Sequence, residues 1–163
     1  MRLLTAEGAG PPAPPAPQGL AAVFGPRRIV LVGASDRPGR MGELLWRNLS
    51  SFPGQVVPVT PSAATVGGCK AYPRLADVEG EVDLAVIAVP AAAVPGVVGD
   101  AAAKGVPAVV VITGGFAETG AEGARLQHEL LAAARAGGVR VVGPNCFGVQ
   151  NADLPLNASL APG

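Results

Sequence analysis

The stretch Arg28-Ile29-Val30-Leu31-Val32-Gly33-Ala34-Ser35-Asp36-Arg37-Pro38-Gly39-Arg40-Met41-Gly42 decides the fold. Residues 29–32 form a short apolar run rich in β-branched side chains, which reads as a strand buried on both faces. Glycines then turn the chain, and residues 41–52 place Leu44, Leu45, Leu49 and Phe52 on one helical face. A glycine-rich turn directly after a strand and directly before a helix is the context that a phosphate-binding loop requires. Glycines let the backbone approach a ligand closely, and the unpaired N–H groups of the helix start favour an anion. Arg37 and Arg40 add positive charge to that turn.

Working outward, the same alternation repeats. Runs at 56–59, 84–89, 108–112 and 139–142 read as further strands, and segments 91–104 and 121–136 as further helices, the first ending at Gly105. Strands alternating with helices imply an α/β chain with a Rossmann-like, doubly wound parallel sheet of about five or six strands in a single domain. The expected strand order is 3-2-1-4-5 or a close relative. Ligands in such a sheet sit outside the carboxyl ends of the strands, so the loops after the strands are where function is expected.

Composition agrees. The 163 residues are 49% hydrophobic and only 15% charged, with a formal net charge of zero and no run of Lys or Arg, which argues against a nucleic-acid partner. Two cysteines, Cys69 and Cys146, and one histidine, His128, lie on separate segments, a pattern of neither a disulfide framework nor a zinc site. Residues 11–17 carry five prolines, so residues 1–19 are expected to be an extended tail or linker and residues 20–163 the domain. No apolar run reaches the ~20 residues of a membrane span, and the amino terminus lacks the apolar core of a signal peptide, so a cytoplasmic location away from membranes is expected.

The remaining loops narrow the ligand. A nicotinamide-binding domain should offer a carboxylate at the end of the second strand for the ribose hydroxyls. That position here is Val59-Thr60-Pro61-Ser62-Ala63, with no Asp or Glu between Gly54 and Arg74. The third strand ends in Val89-Pro90, the fourth in Thr113-Gly114-Gly115-Phe116-Ala117-Glu118-Thr119-Gly120, a loop that reads as anion-tolerant and flexible. The fifth runs into Gly143-Pro144-Asn145-Cys146-Phe147-Gly148, where Asn145 can donate and accept and Cys146 reads as a packing thiol.

Taken in order, these loops resemble a known family. Gly33-Ala34-Ser35 with Pro38-Gly39 and Gly42, then Val59-Thr60-Pro61, Asp83-Leu84-Ala85-Val86 through Val89-Pro90, Gly115-Phe116-Ala117-Glu118, Gly143-Pro144-Asn145-Cys146-Phe147-Gly148 and Leu156-Asn157-Ala158 look like the coenzyme A-binding domain of nucleoside-diphosphate-forming acyl-CoA synthetases. The domain is similar to the amino-terminal part of the succinyl-CoA synthetase α subunit and also occurs fused to protein acetyltransferases.

The resemblance implies coenzyme A or acyl-CoA as ligand, with residue roles to match. Gly33, Ser35, Asp36, Arg37, Pro38, Gly39 and Arg40 would cradle the phosphates, and Val59, Thr60 and Pro61 would flank the adenosine. Val89, Pro90, Thr113 and Gly114 would line the pantetheine path, with Asn145 and Cys146 near the thiol. Relatives often carry a lysine just after the segment matching Val59-Thr60-Pro61. This chain has Ser62-Ala63 there, which leaves that phosphate contact absent or assigned to another residue, such as the more distant Lys70. The family's phosphohistidine lies in a later domain, and His128 does not match it, so no catalytic residue is assigned and the isolated chain is expected to be inactive. The expected partners are further synthetase or acetyltransferase domains, in cis or in trans; a homo-oligomer is compatible. The alternatives are a stand-alone or fused acyl-CoA sensor and, against the missing carboxylate, an NAD(P)-binding oxidoreductase domain.

Overall fold

The computed structural model describes residue 15 and residues 17–161. Most of the proline-rich tail expected at 1–19 lies outside those residues.

The described chain begins with a short helix α1 (Leu20–Phe24), then β1 (Arg28–Val32), α2 (Met41–Asn48) and β2 (Gln55–Val59). A two-residue hairpin, β3 (Thr65–Val66) and β4 (Cys69–Lys70), leads to β5 (Leu84–Ile87), α3 (Val94–Lys104), β6 (Ala108–Val111), α4 (Ala121–Ala136) and β7 (Arg140–Val142). A second hairpin, β8 (Gly148–Asn151) and β9 (Leu156–Ser159), closes it. The expected helix over 41–52 divides into α2 and a 3-10 turn at Leu49–Ser51, and that over 91–104 opens with a 3-10 turn at Ala91–Ala93. The one over 121–136 forms as expected. Gly105, at φ 76°, ends α3 in the left-handed conformation open to glycine.

The main sheet is parallel, in the order β2-β1-β5-β6-β7. Numbering only its five strands, this is 2-1-3-4-5, a relative of the expected 3-2-1-4-5 and not that order itself. The segment after β2 supplies no further strand on its outer side. It folds as the β3–β4 hairpin and a 3-10 turn at Leu75–Asp77, laddered to β2 by an isolated parallel bridge between Val59 and Tyr72. The chain then crosses to the other side of β1, so the sheet order reverses between β1 and β5. In this arrangement the ligand crevice belongs at the carboxyl ends of those two strands.

Alternation along the strands builds two cores, one on each face. Val30, Val32, Ala85, Ile87, Val109 and Val111 point toward α3 and α4, meeting Val94, Val98, Leu126 and Leu130. Ile29, Leu31, Leu84, Val86 and Val110 point the other way, onto α1, α2 and the β8–β9 hairpin. Every residue of β5 and β6 is buried, as strands covered on both faces require. Each fully buried Leu or Ile contributes about 1.5–3 kcal/mol of transfer free energy, so the two apolar layers dominate stability.

The amino end of the sheet is tied by a buried carboxylate. Asp83 accepts from the backbone N–H of Arg27 at 2.8 Å and of Arg28 at 3.0 Å, and it pairs with the Arg27 guanidinium. Its role is to register the start of β1 against β5, at the end opposite the loops. No helix among the described residues is long and apolar enough to cross a membrane.

Candidate functional site

Where the sheet order reverses, Gly33 follows β1 at φ 95° and lies hard against the loop after β5. A Cβ there would fall 2.5 Å from the Ala88 carbonyl oxygen, so only glycine fits. The helix after the turn is equally close: a Cβ on Gly42 would lie 1.9 Å from the Gly33 carbonyl oxygen. These two contacts fold residues 33–42 over the carboxyl end of β1.

A cleft of about 670 Å³ opens beside this turn. Of the residues proposed from sequence, Gly33, Ser35, Arg37, Arg40, Thr60, Pro61, Val89, Pro90 and Thr113 line it, drawn from the loops after β1, β2, β5 and β6. Among the described residues, Arg37 and Arg40 are its only cationic lining residues, both exposed, and neither makes an ion pair. The helix beyond them starts without a side-chain cap; the Glu43 N–H turns back to the Arg40 carbonyl, and the Met41 and Gly42 amides keep open donors. An anion placed here meets two unpartnered guanidiniums and a helix start.

Val59 lines a second cavity of about 380 Å³ that shares Gly33, Pro61, Val89 and Ala93 with the cleft. Its walls are largely apolar, including Val59, Pro61, Leu75, Val89 and Val97, while Arg74 and Asp100 stand among its lining residues. A flat apolar ring fits such a slot, continuous with a charged cleft.

Several residues turn elsewhere. Asp36 accepts from the Gly67 N–H at 2.8 Å, fastening the turn to the β3–β4 hairpin. Gly67 leaves room for Trp46, since a Cβ on it would fall 2.3 Å from the indole nitrogen. Pro38 and Gly39 line a neighbouring groove that shares Arg40 and Met41 with the cleft and extends to Leu160. Ser35 uses its hydroxyl to accept from the Arg37 N–H at 3.0 Å. Thr60 shares a hydroxyl hydrogen bond of 2.9 Å with Ser62. Lys70 lies over the Tyr72 ring, 4.7 Å from its centre, and lines neither cavity.

The loops after β5, β6 and β7 are stitched together through Thr113. Its hydroxyl donates to the Val89 carbonyl at 2.7 Å, and its carbonyl accepts from the Asn145 N–H at 2.9 Å. Asn145, at φ 53°, sets its side-chain oxygen against Gly114, and neither residue lines the cleft. Cys146 directs its thiol to the Val111 carbonyl at 3.3 Å, and burial pushes that thiol's pKa up. It is a thiol at neutral pH, held in packing, as its sequence context suggested.

The loop after β6 differs from the flexible, anion-tolerant reading. The Glu118 carboxylate accepts from the Gly115 and Phe116 N–H groups at 2.7 and 3.1 Å. Gln127 takes the Ala117 N–H, and Phe116 is wholly buried. These hydrogen bonds hold the Glu118 pKa below the ordinary glutamate range. Glu122 pairs with Arg125 in the first turn of α4, which lowers its pKa as well. His128 is exposed and lines neither cavity of the cleft. Sequence reasoning missed Asp100, because a carboxylate was sought after β2 and this one arrives from α3.

Comparison with known proteins agrees with this geometry. Residues 27–152 match the family model described as a CoA binding domain. The chain is 43% identical over 137 residues to the α subunit of acetate–CoA ligase [ADP-forming] II of Pyrococcus furiosus, covering 83% of this chain and 30% of that protein. It is 40% identical over 139 residues to acetate–CoA ligase [ADP-forming] I of Archaeoglobus fulgidus, 85% of this chain and 20% of that one. The dinucleotide-forming acetyl-coenzyme A synthetase 1 of Ca. Korarchaeum cryptofilum, solved with phosphate and ADP, superposes with a TM-score of 0.83 at 44% identity, covering 88% of this chain and 31% of that one. The chain thus spans a third or less of these relatives' length. With the match running from the start of β1 into β8 and so through every loop that builds the cleft, the chain belongs to the CoA binding domain family.

Proposed function

We propose that the cleft binds coenzyme A or its acyl thioesters, and that the chain is the coenzyme A-binding module of a nucleoside-diphosphate-forming acyl-CoA synthetase. The observation that carries this reading is the pair Arg37 and Arg40, unpartnered at an uncapped helix start, beside an apolar slot at the reversal of the sheet. The diphosphate would lie on the turn at 33–40, the adenine in the slot lined by Val59, Pro61 and Val97, and the pantetheine past Val89, Pro90 and Thr113 toward Asn145 and Cys146.

This chain's own residues then bind and orient. Arg37 and Arg40 neutralise the diphosphate, Gly33 admits it close to the backbone, and Thr113 keeps three loops in register under the pantetheine arm. Cys146, protonated and packed, supplies no nucleophile. Acyl activation would fall to further domains, in cis or on a partner chain.

Calorimetric titration with coenzyme A, acetyl-CoA and NAD tests the reading. Coenzyme A and acetyl-CoA should bind and NAD should not. Gly96 of α3 lines the slot, and a Cβ there meets nothing within 4 Å. Gly96→Leu should therefore fold normally, fill the slot and abolish binding. Binding of NAD in place of coenzyme A, or full affinity in Gly96→Leu, would overturn the assignment.

A further inference from the structure

The apolar slot carries one charged pair, and its geometry is asymmetric. Arg74 follows the β3–β4 hairpin and Asp100 comes from α3; both line the slot that adjoins the cleft. The guanidinium reaches Asp100 through one nitrogen alone, Nη2, which donates to both carboxylate oxygens at 3.0 and 3.1 Å. Its Nε and Nη1 groups make no hydrogen bond among the described residues. The Arg74 side chain is 65% exposed and that of Asp100 25% exposed, so the pair stands at the mouth.

A guanidinium held by one nitrogen is oriented before any ligand arrives, which reduces the side-chain entropy lost on binding. What it offers is a planar set of N–H donors of the kind that recognise phosphate. Lys70, the candidate from sequence for a missing phosphate contact, is committed to the Tyr72 ring. Arg74 is the cation that lines the slot itself.

Building on the coenzyme A reading above, we propose that Arg74, positioned by Asp100, is the specificity-determining residue for the 3′-phosphate of the adenosine, and so separates coenzyme A from dephospho-CoA and from adenine dinucleotides. Adenine in the slot places its ribose near the mouth, where Arg74 is the only cationic lining group among the described residues. The glycine turn reads the diphosphate that all these ligands share. Arg74 reads the group that only coenzyme A carries.

The test compares affinities for coenzyme A, dephospho-CoA and adenosine 3′,5′-bisphosphate in the wild type, Arg74→Ala and Arg74→Lys. The wild type should prefer coenzyme A over dephospho-CoA by about ten-fold or more, the scale of one charge-assisted contact. In Arg74→Ala that ratio should fall toward one, with dephospho-CoA affinity unchanged and adenosine 3′,5′-bisphosphate binding lost. Arg74→Lys should restore part of the ratio, because a point charge replaces the fork. A preference that survives in Arg74→Ala overturns this inference and leaves the coenzyme A site standing. Failure of coenzyme A and dephospho-CoA alike to bind the wild type overturns the site and the inference together.

Discussion

Two glycine-rich loops of this chain look alike in sequence and are opposite in use. Residues 33–42 follow β1 and residues 113–120 follow β6, and each leads into a helix through a glycine in its first turn. Gly42 brings α2 against the Gly33 carbonyl, and Gly123 brings α4 against the Phe116 carbonyl, where added Cβ atoms would fall at 1.9 and 1.8 Å. The first loop ends in exposed, unpartnered Arg37 and Arg40. The second folds the Glu118 carboxylate onto its own Gly115 and Phe116 amides. One loop is left open to an anion from outside, and the other is already filled by an anion of its own. A glycine pattern therefore says that a backbone comes close to something; the charges around it say to what.

The largest effect should fall on what the loops share. Gly42→Ala and Gly123→Ala each force a methyl into a backbone carbonyl that cannot move aside, so each should cost about 3 kcal/mol, read as a lower denaturation midpoint in urea. Equal tolerance at both positions would break the parallel at its base. Next comes what separates them. Arg37→Ala should weaken coenzyme A binding by about 1.5–3 kcal/mol and leave stability nearly unchanged, since the side chain is exposed and unpaired. An Arg37→Ala variant that binds as tightly as wild type would remove the open loop from the site.

The smallest effect belongs to the closed loop. Because hydrogen bonding lowers the Glu118 pKa, its contribution is fully present above the ordinary glutamate value and is lost as pH falls through the lowered one. Protection factors for exchange of the Gly115 and Phe116 amides should hold down to the ordinary glutamate range, near pH ~4.3, and fall only below it. In Glu118→Gln that step should vanish, while coenzyme A affinity changes by less than about two-fold, as expected of a carboxylate that the ligand does not touch. A large loss of affinity would show that the two loops act together.

Much of this was legible in the sequence because the decisive signals are local. The run at residues 29–32, the glycines at 33, 39 and 42, and the two arginines fix a strand, a turn and its charge without reference to the rest of the chain. The order of the sheet was not legible in the same way. It depends on residues 60–83 making a hairpin and a 3-10 turn in place of another strand, and runs as short as Thr65–Val66 and Cys69–Lys70 carry no periodic signal. Side-chain commitments were hidden as well. Asp36 reads as a cradle residue beside two arginines, yet it is spent on Gly67, 31 positions away. Asp100 and Arg74 meet only because the fold lays α3 beside the hairpin, a contact between residues 26 positions apart that no motif marks.

The structure of the complex with coenzyme A decides between the two loops most directly. The diphosphate should lie against residues 33–40, within hydrogen-bonding distance of Arg37 or Arg40, with Glu118 still seated on the Gly115 and Phe116 amides. A diphosphate lying on residues 113–120 with Glu118 displaced, or one bound away from both loops, would contradict that placement.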